Sequence, residues 1–210
     1  MVKLYVEGGG DGKALQIECR RGFREFLEKA GLKGKMPAIA ACGGRRFAYE
    51  DYCTAIANGE AALLLVDSEA PIATEHQTGK PDEWQPWQHL KARQGDGWDR
   101  PQGGREADCH LMVQCMESWF LADRETLKDF FGHGFRDNAL PSAENPVETI
   151  AKTAVLDSLK NATRHCQPKG QYGKGDHSFK LLALLDPAKI VAASPWAKRF
   201  VDILKQKMGA

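Results

Sequence analysis

Three carboxylates stand where apolar runs end. Leu4-Tyr5-Val6 stops at Glu7 and a glycine cluster, and Ala62-Leu63-Leu64-Leu65-Val66 stops at Asp67-Ser68-Glu69. Unbroken runs of β-favouring residues are the pattern of strands covered on both faces of a parallel sheet, and such sheets take ligands beyond the carboxyl ends of their strands. Glu7, Asp67 and Glu69 are therefore expected in one crevice. Carboxylates crowded together repel one another unless a cation neutralises them, and an all-oxygen donor set suits Mg²⁺ or Mn²⁺ better than zinc. Asp11, in the turn after Glu7, is a further candidate ligand. That turn, Gly8-Gly9-Gly10-Asp11-Gly12-Lys13, has neither familiar nucleotide-binding spacing. A Walker A loop needs glycine five positions before Gly-Lys and Ser or Thr after it, where this chain has Glu7 and Ala14; a GxGxxG pattern begun at Gly8 meets Lys13 in place of its third glycine. What remains is a flexible turn opening a helix, able to offer amides to a phosphate, or simply a tight turn that needs positive φ.

The elements that must position these acids follow from periodicity. After Gly12, Leu15, Cys19, Phe23, Phe26, Leu27 and Ala30 recur at helical spacing, with Gly31 as C-cap. A second strand is expected over Met36 to Ala41, then a helix from Phe47 to Asn58 and the strand ending at Asp67. Strands alternating with helices imply right-handed βαβ crossovers, a parallel sheet flanked by helices and hence an α/β fold. From 70 to 107, prolines and glycines break every period except for a short helix over Trp87 to Arg93. Trp84, Trp87 and Trp98 argue against disorder there, and the segment reads as a binding loop or lid beside the acids or as a cover packed on the core. A fourth strand, His110 to Cys115, leads into a helix carrying Met116, Trp119, Phe120, Leu127, Phe130 and Phe131 and closed by Gly132. Glu117 lies at that junction, either as a fourth acid of the crevice or as a first-turn acid opposing the helix dipole. Asn145-Pro146-Val147-Glu148 has the residue types of an N-cap, a first-turn proline and a capping box. A glycine-rich basic loop, Gln167 to His177, precedes a short helix from Ser178 to Leu185, and Ser194-Pro195 opens the last helix. The organisation expected is a core over 1–132, including the 70–107 insertion, with a helical extension over 133–210 packed on it.

Composition narrows the class. The chain has 210 residues, 42% of them hydrophobic, and a formal net charge of +1, so no global field draws it to nucleic acid or an anionic membrane. Local basic groups, Arg20-Arg21 with Arg24 and Arg45-Arg46, either guide a polyanion or solvate helix faces. No apolar run is long enough for a membrane span, and the cytoplasm is the expected location. The six cysteines have no zinc spacing and read as reduced, partly buried residues.

Val6-Glu7-Gly8 with Asp11, and Leu65-Val66-Asp67-Ser68-Glu69 one βαβα unit later, resemble the Toprim domain shared by primases, topoisomerases and overcoming-lysogenization-defect nucleases. Ala41-Cys42-Gly43-Gly44-Arg45, Val113 through Asp123 and Lys174-Gly175-Asp176-His177-Ser178-Phe179-Lys180-Leu181-Leu182 resemble a bacterial family of uncharacterised Toprim-like proteins. That second resemblance covers nearly the whole chain. Together they imply a Toprim-like, Rossmann-like fold and Mg²⁺-dependent phosphodiester cleavage of nucleic acid, DNA or RNA. Members of the bacterial family are often encoded beside an ATPase in defence-type neighbourhoods, which implies an ATPase partner. Carried over by position, Glu7 is the general acid or base, and Asp67 and Glu69 are metal ligands, with Glu69 replacing the second aspartate of the usual pair. Glu117, Lys174 and His177 join the expected catalytic set, and Arg45, Arg46 and Lys174 the substrate-binding set. Two other readings are a non-catalytic subunit holding its partner through the same fold and a phosphotransferase or nucleotide-processing enzyme acting on small phosphates.

Overall fold

The computed structural model describes residues 1–210. Its centre is a four-stranded, all-parallel sheet in the order β2-β1-β3-β4, built from β1 (Lys3–Gly9), β2 (Ala38–Gly43), β3 (Ala62–Asp67) and β4 (Cys109–Met112). Helix α1 (Lys13–Leu27) connects β1 to β2 and helix α2 (Arg45–Ala57) connects β2 to β3. The chain moves from β1 outward to β2, then returns past β1 to β3 and continues to β4. The direction of winding thus reverses between β1 and β3, the place where open α/β sheets leave a crevice at the carboxyl ends of their strands. The expected α/β class, a Rossmann-like parallel sheet flanked by helices, is the observed one.

Alternation along the strands divides the interior between the two faces of the sheet. Leu4, Val6, Leu63 and Leu65 pack with Cys19, Phe23 and Phe26 of α1. Leu64, Val66, Cys109 and Leu111 pack with Ala48, Tyr52 and Ala55 of α2. Trp84, Trp87 and Trp98 join this second core, so the 70–107 segment, with its short helix α3 (Pro86–Ala92), covers one face of the sheet. None of its residues lines the cavity beside Glu7 and Asp67, but the segment reaches the corner behind it, where His89 Nε2 lies 2.8 Å from the Ser68 carbonyl oxygen and Asp96 pairs with Arg45.

The remaining helices are α4 (Ser118–Ala122), α5 (Arg124–Phe131), α6 (Lys152–Thr163), α7 (Lys174–Leu184), α8 (Pro187–Ala193) and α9 (Pro195–Met208). They complete the first core with Val155, Leu159, Leu181, Leu182, Phe200 and Leu204. Helix α7 lies directly against α1 because Gly22 lacks a side chain: a Cβ there would stand 2.6 Å from the carbonyl oxygen of Phe179. Gly8 performs the same service at the strand end, where φ is +132° and a Cβ would stand 2.8 Å from the Phe179 ring. These two contacts bring the start of α7 over the end of β1.

Several boundaries differ from expectation. β2 begins at Ala38, whose N–H donates to the Val2 carbonyl, and continues to Gly43 instead of stopping at Ala41. β4 ends at Met112. The helix expected across 116–131 is two, because Asp123 has non-helical backbone and caps α5 by accepting from Thr126. Asn145-Pro146-Val147-Glu148 opens only a 3₁₀ turn over Val147–Thr149, and α6 starts at Lys152. The Glu148 carboxylate caps a different helix, accepting from Ser194 Oγ and the Trp196 N–H at the start of α9. Helix α7 starts at Lys174, so the last residues of the glycine-rich loop form its first turn.

Candidate metal centre

The acids at the ends of β1 and β3 meet because their strands are neighbours in register. Val6 lies opposite Leu65, and Asp67 opposite Met112 of β4. Glu7 Oε2 accepts the Asp67 backbone N–H at 3.0 Å. One ligating oxygen from each of Glu7, Asp67 and Glu69 falls within 4.8 Å of the others. Glu69 is the sole non-glycine residue with positive φ, at +64°, a conformation uncommon for a residue with a side chain. Its N–H donates to the Gln114 carbonyl, and Ser68 N–H donates to that of Met112, so the corner is fixed by β4 and its continuation.

Glu117, in the segment that follows β4, is fully buried. Its Oε1 accepts hydrogen bonds from Tyr172 Oη and Ser178 Oγ, both at 3.1 Å, while Oε2 has no hydrogen-bond partner and no contact with solvent. Glu117 does stand at the start of α4, as the dipole reading expects, but it is buried and does not face solvent. Lys174, at the start of α7, places Nζ 3.5 Å from Glu117 Oε1 and 3.9 Å from Asp67 Oδ2. Asp67 Oδ1 accepts the Met116 N–H at 2.8 Å.

Lys152, the first residue of α6, donates to Asp67 Oδ2 at 3.1 Å and to Glu69 Oε1 at 2.5 Å. Nothing in the local sequence marked it, since it lies 83 residues beyond Glu69. Tyr172 and Ser178 were also missed. Ser178 carried a faint signal, one helical turn after Lys174 and so on the same face of α7.

Crowding is visible in the acid ionisation. Burial pushes the Glu7 carboxyl up to about 7, and the neighbouring Asp67 charge adds to the rise. Asp67 is raised by burial first and by the Glu117 charge second. Burial also opposes ionisation of Glu69, but Lys152, with Arg45 and Arg93, more than offsets it and holds Glu69 below the usual carboxylate range. Lys152 and Lys174 both keep their protons more tightly than a free lysine, despite burial, because of the acids they face.

The other expected site residues have different surroundings. Arg45 is anchored and does not form a free basic patch: it pairs with Asp96 at 2.9 Å, donates to the Asp67 carbonyl at 3.1 Å and lies 5.0 Å over the Trp98 ring. Arg46 points to solvent and pairs with Glu50. Asp11 is exposed and does not join the acid cluster. His177 is buried among Phe130, Phe131 and Tyr172, and its Nδ1 accepts the Gly173 N–H, so it shapes the start of α7 and does not face the acids.

Beside the acids lies a cavity of about 210 Å³, lined by Glu7, Gly8 to Gly10, Gly43, Asp67, Lys174 and Gly175 among others. A divalent cation fits this arrangement on two grounds: the donors are all hard oxygens, and Glu117, which shares Lys174 with Asp67, has a fully buried Oε2 without a partner. The DUF4276 family model matches residues 6–205. The chain belongs to this family, a domain of unknown function. The part of the chain that DUF4276 covers includes both strand-end acids, Glu117, Lys152 and the start of α7. No curated protein and no solved structure matches the chain. No helix is long and apolar enough to cross a membrane.

Proposed function

We propose that the chain is a Mg²⁺- or Mn²⁺-dependent enzyme that cleaves phosphodiester bonds of nucleic acid, a Toprim-like nuclease acting with an ATPase partner in bacterial defence. The observation that carries the chemistry is the convergence of Glu7, Asp67 and Glu69 within 4.8 Å at the winding switch of a parallel sheet. The resemblance of the strand-end motifs to Toprim domains supports the substrate class, and that of the whole chain to a family found beside ATPases supports the partner.

Asp67 and Glu69 would hold the cation, with Glu7 beside them. Bound there, the ion supplies charge neutralisation for a phosphoryl group under attack. Glu7, with its proton lost near pH 7, is suited to exchange a proton with the attacking water or the leaving oxygen at neutral pH. Lys174 faces the cavity from α7 and offers a cation to a phosphate oxygen. The cavity's glycine-lined wall at Gly8 to Gly10 lets a substrate approach the backbone closely.

Incubation of the purified protein with DNA, RNA and tRNA, in Mg²⁺, Mn²⁺ or EDTA and with or without the neighbouring ATPase, tests this reading. Metal-dependent cleavage that Asp67→Asn abolishes is the expected result. No cleavage under any of these conditions contradicts it. A second reading, a phosphotransferase or nucleotide-processing enzyme, is favoured by the small cavity and by the anchoring of Arg45, which leaves no open basic groove at the site. Turnover of mononucleotides without polymer cleavage identifies that case.

A further inference from the structure

We propose that Lys152 is a built-in counter-cation of this centre: its ammonium group stands in for the divalent ion between Asp67 and Glu69, and the ion enters by expelling it. The inference rests on reading the crevice as a metal site.

Nζ of Lys152 lies 3.1 Å from Asp67 Oδ2 and 2.5 Å from Glu69 Oε1, so it engages two of the three acids that form the candidate donor set. The ammonium lies within 3.1 Å of both carboxylates, in the position an ion bridging Asp67 and Glu69 would take, and a dication beside an ammonium is repelled at close range. The two cannot share this position.

Lys152 is also held there by the acids alone. It is the first residue of α6, where the positive end of the helix dipole disfavours a cation, and no acid lies in that first turn to compensate. Its side chain is 21% exposed and ends in a flexible four-carbon stem, so it can swing to solvent without moving the helix. Arg45, the other cation at this corner, differs: its Nη1 lies 3.8 Å from Glu69 Oε1, and its guanidinium is tied to Asp96 at 2.9 Å and to the Trp98 ring. Lys174 stands farther off, at 3.5 and 3.9 Å from the nearest carboxylate oxygens. Lys152 is thus the cation whose removal opens the donor set. Its presence explains how the metal-free protein tolerates four converging carboxylates, and its expulsion makes metal affinity a competition.

The test is Mn²⁺ binding, followed by calorimetry, to the full chain and to Lys152→Met and Lys152→Arg. Lys152→Met is expected to bind Mn²⁺ at least about tenfold more tightly than the wild type, because no ammonium has to be displaced. Lys152→Arg, which keeps the charge, is expected to bind no more tightly than the wild type. Without metal, Lys152→Met should melt at a lower temperature, and Mn²⁺ should raise its midpoint by more than it raises that of the wild type. If the Met variant does not fold, Lys152→Gln is expected to show the same tighter binding. Wild-type binding with equal or weaker binding by the neutral variants overturns the role of Lys152 and leaves the metal centre standing. Failure of the wild type and all the variants to bind overturns both. Binding by the neutral variants alone would show that Lys152 excludes the ion from the wild type, and overturns entry by displacement.

Discussion

Asp67 and Asp123 are both buried aspartates paired with lysine, yet the protein treats them in opposite ways. Asp123 accepts from the N–H and hydroxyl of Thr126, the N–H of Asp186 and the ammonium of Lys189. Burial disfavours its charge, but Lys189 and these N–H and O–H donors more than offset burial and hold the carboxyl below its usual range. Asp67 has a backbone donor and Lys152, but it faces Glu117 and Glu7, and its carboxyl is pushed up. Asp123 ties α5 to α8 with every oxygen satisfied. The Asp67 cluster concentrates negative charge beyond what its own lysines balance, at the edge of a cavity. A fully compensated buried acid stabilises a fold, whereas an under-compensated group in a cleft is the arrangement found at functional sites.

The sharpest way to separate the two is activity. Asp67→Asn keeps the volume and an acceptor for the Met116 N–H while removing the charge that holds a hard cation. Phosphodiester cleavage should fall by at least about 10³-fold, about 4 kcal/mol in the barrier, with the fold retained by circular dichroism. Asp123→Ala should do the reverse. It strands two backbone N–H groups and a lysine, so urea unfolding should register a loss of about 3 kcal/mol while the folded protein keeps its metal response. Equal losses of stability in the two variants would erase the distinction.

The pH dependence of stability should also carry opposite signs. Glu7 holds its proton up to about pH 7 in the folded chain, whereas an unfolded glutamate releases it near 4.5. Between those values the native state binds more protons than the unfolded state, so this contribution to stability is present below pH 4.5 and is lost as pH rises to 7. In EDTA, Glu7→Gln should therefore gain stability over the wild type as pH rises through that window, by on the order of 3 kcal/mol at pH 8, with little difference at pH 4. For Asp123 the folded value is depressed, so its contribution is present above the unfolded value near 3.8 and is lost as pH falls below it. Urea unfolding at pH 4, 6 and 8 checks the sign for Glu7, and comparison of the wild type with Asp123→Asn between pH 5 and pH 2.5 checks it for Asp123. The smallest effect is expected at Arg46: Arg46→Ala should change neither cleavage nor the thermal midpoint measurably, since its one ion pair, with Glu50, is solvent-exposed.

The strand-end acids were legible in the sequence because the apolar runs that bury β1 and β3 also fix where those strands stop. Glu7, Asp67 and Glu69 could be placed in one crevice from the crossover pattern alone. Glu117 could be located but not interpreted, because the sequence does not reveal that Tyr172 and Ser178 close over it. Lys152 was invisible, since its partners are brought to it by the packing of α6 and by no local periodicity. Residue type also misled at two places. Asn145 to Glu148 has the composition of a helix start, but the Glu148 carboxylate serves Ser194 and the Trp196 N–H. His177 suggested acid–base chemistry, yet its ring packs against Phe130 and Phe131 and its Nδ1 receives the Gly173 N–H.

The Asp67 cluster is expected to bind a divalent cation and the Asp123 cluster is not. Free Mn²⁺ gives an electron paramagnetic resonance signal that broadens away when the ion binds, so titration of the wild type, Asp67→Asn and Asp123→Asn tests this expectation directly. Loss of free signal is expected with the wild type and with Asp123→Asn, and none with Asp67→Asn. An unaltered signal with the folded wild type at millimolar Mn²⁺, or binding by Asp67→Asn equal to that of the wild type, would contradict it.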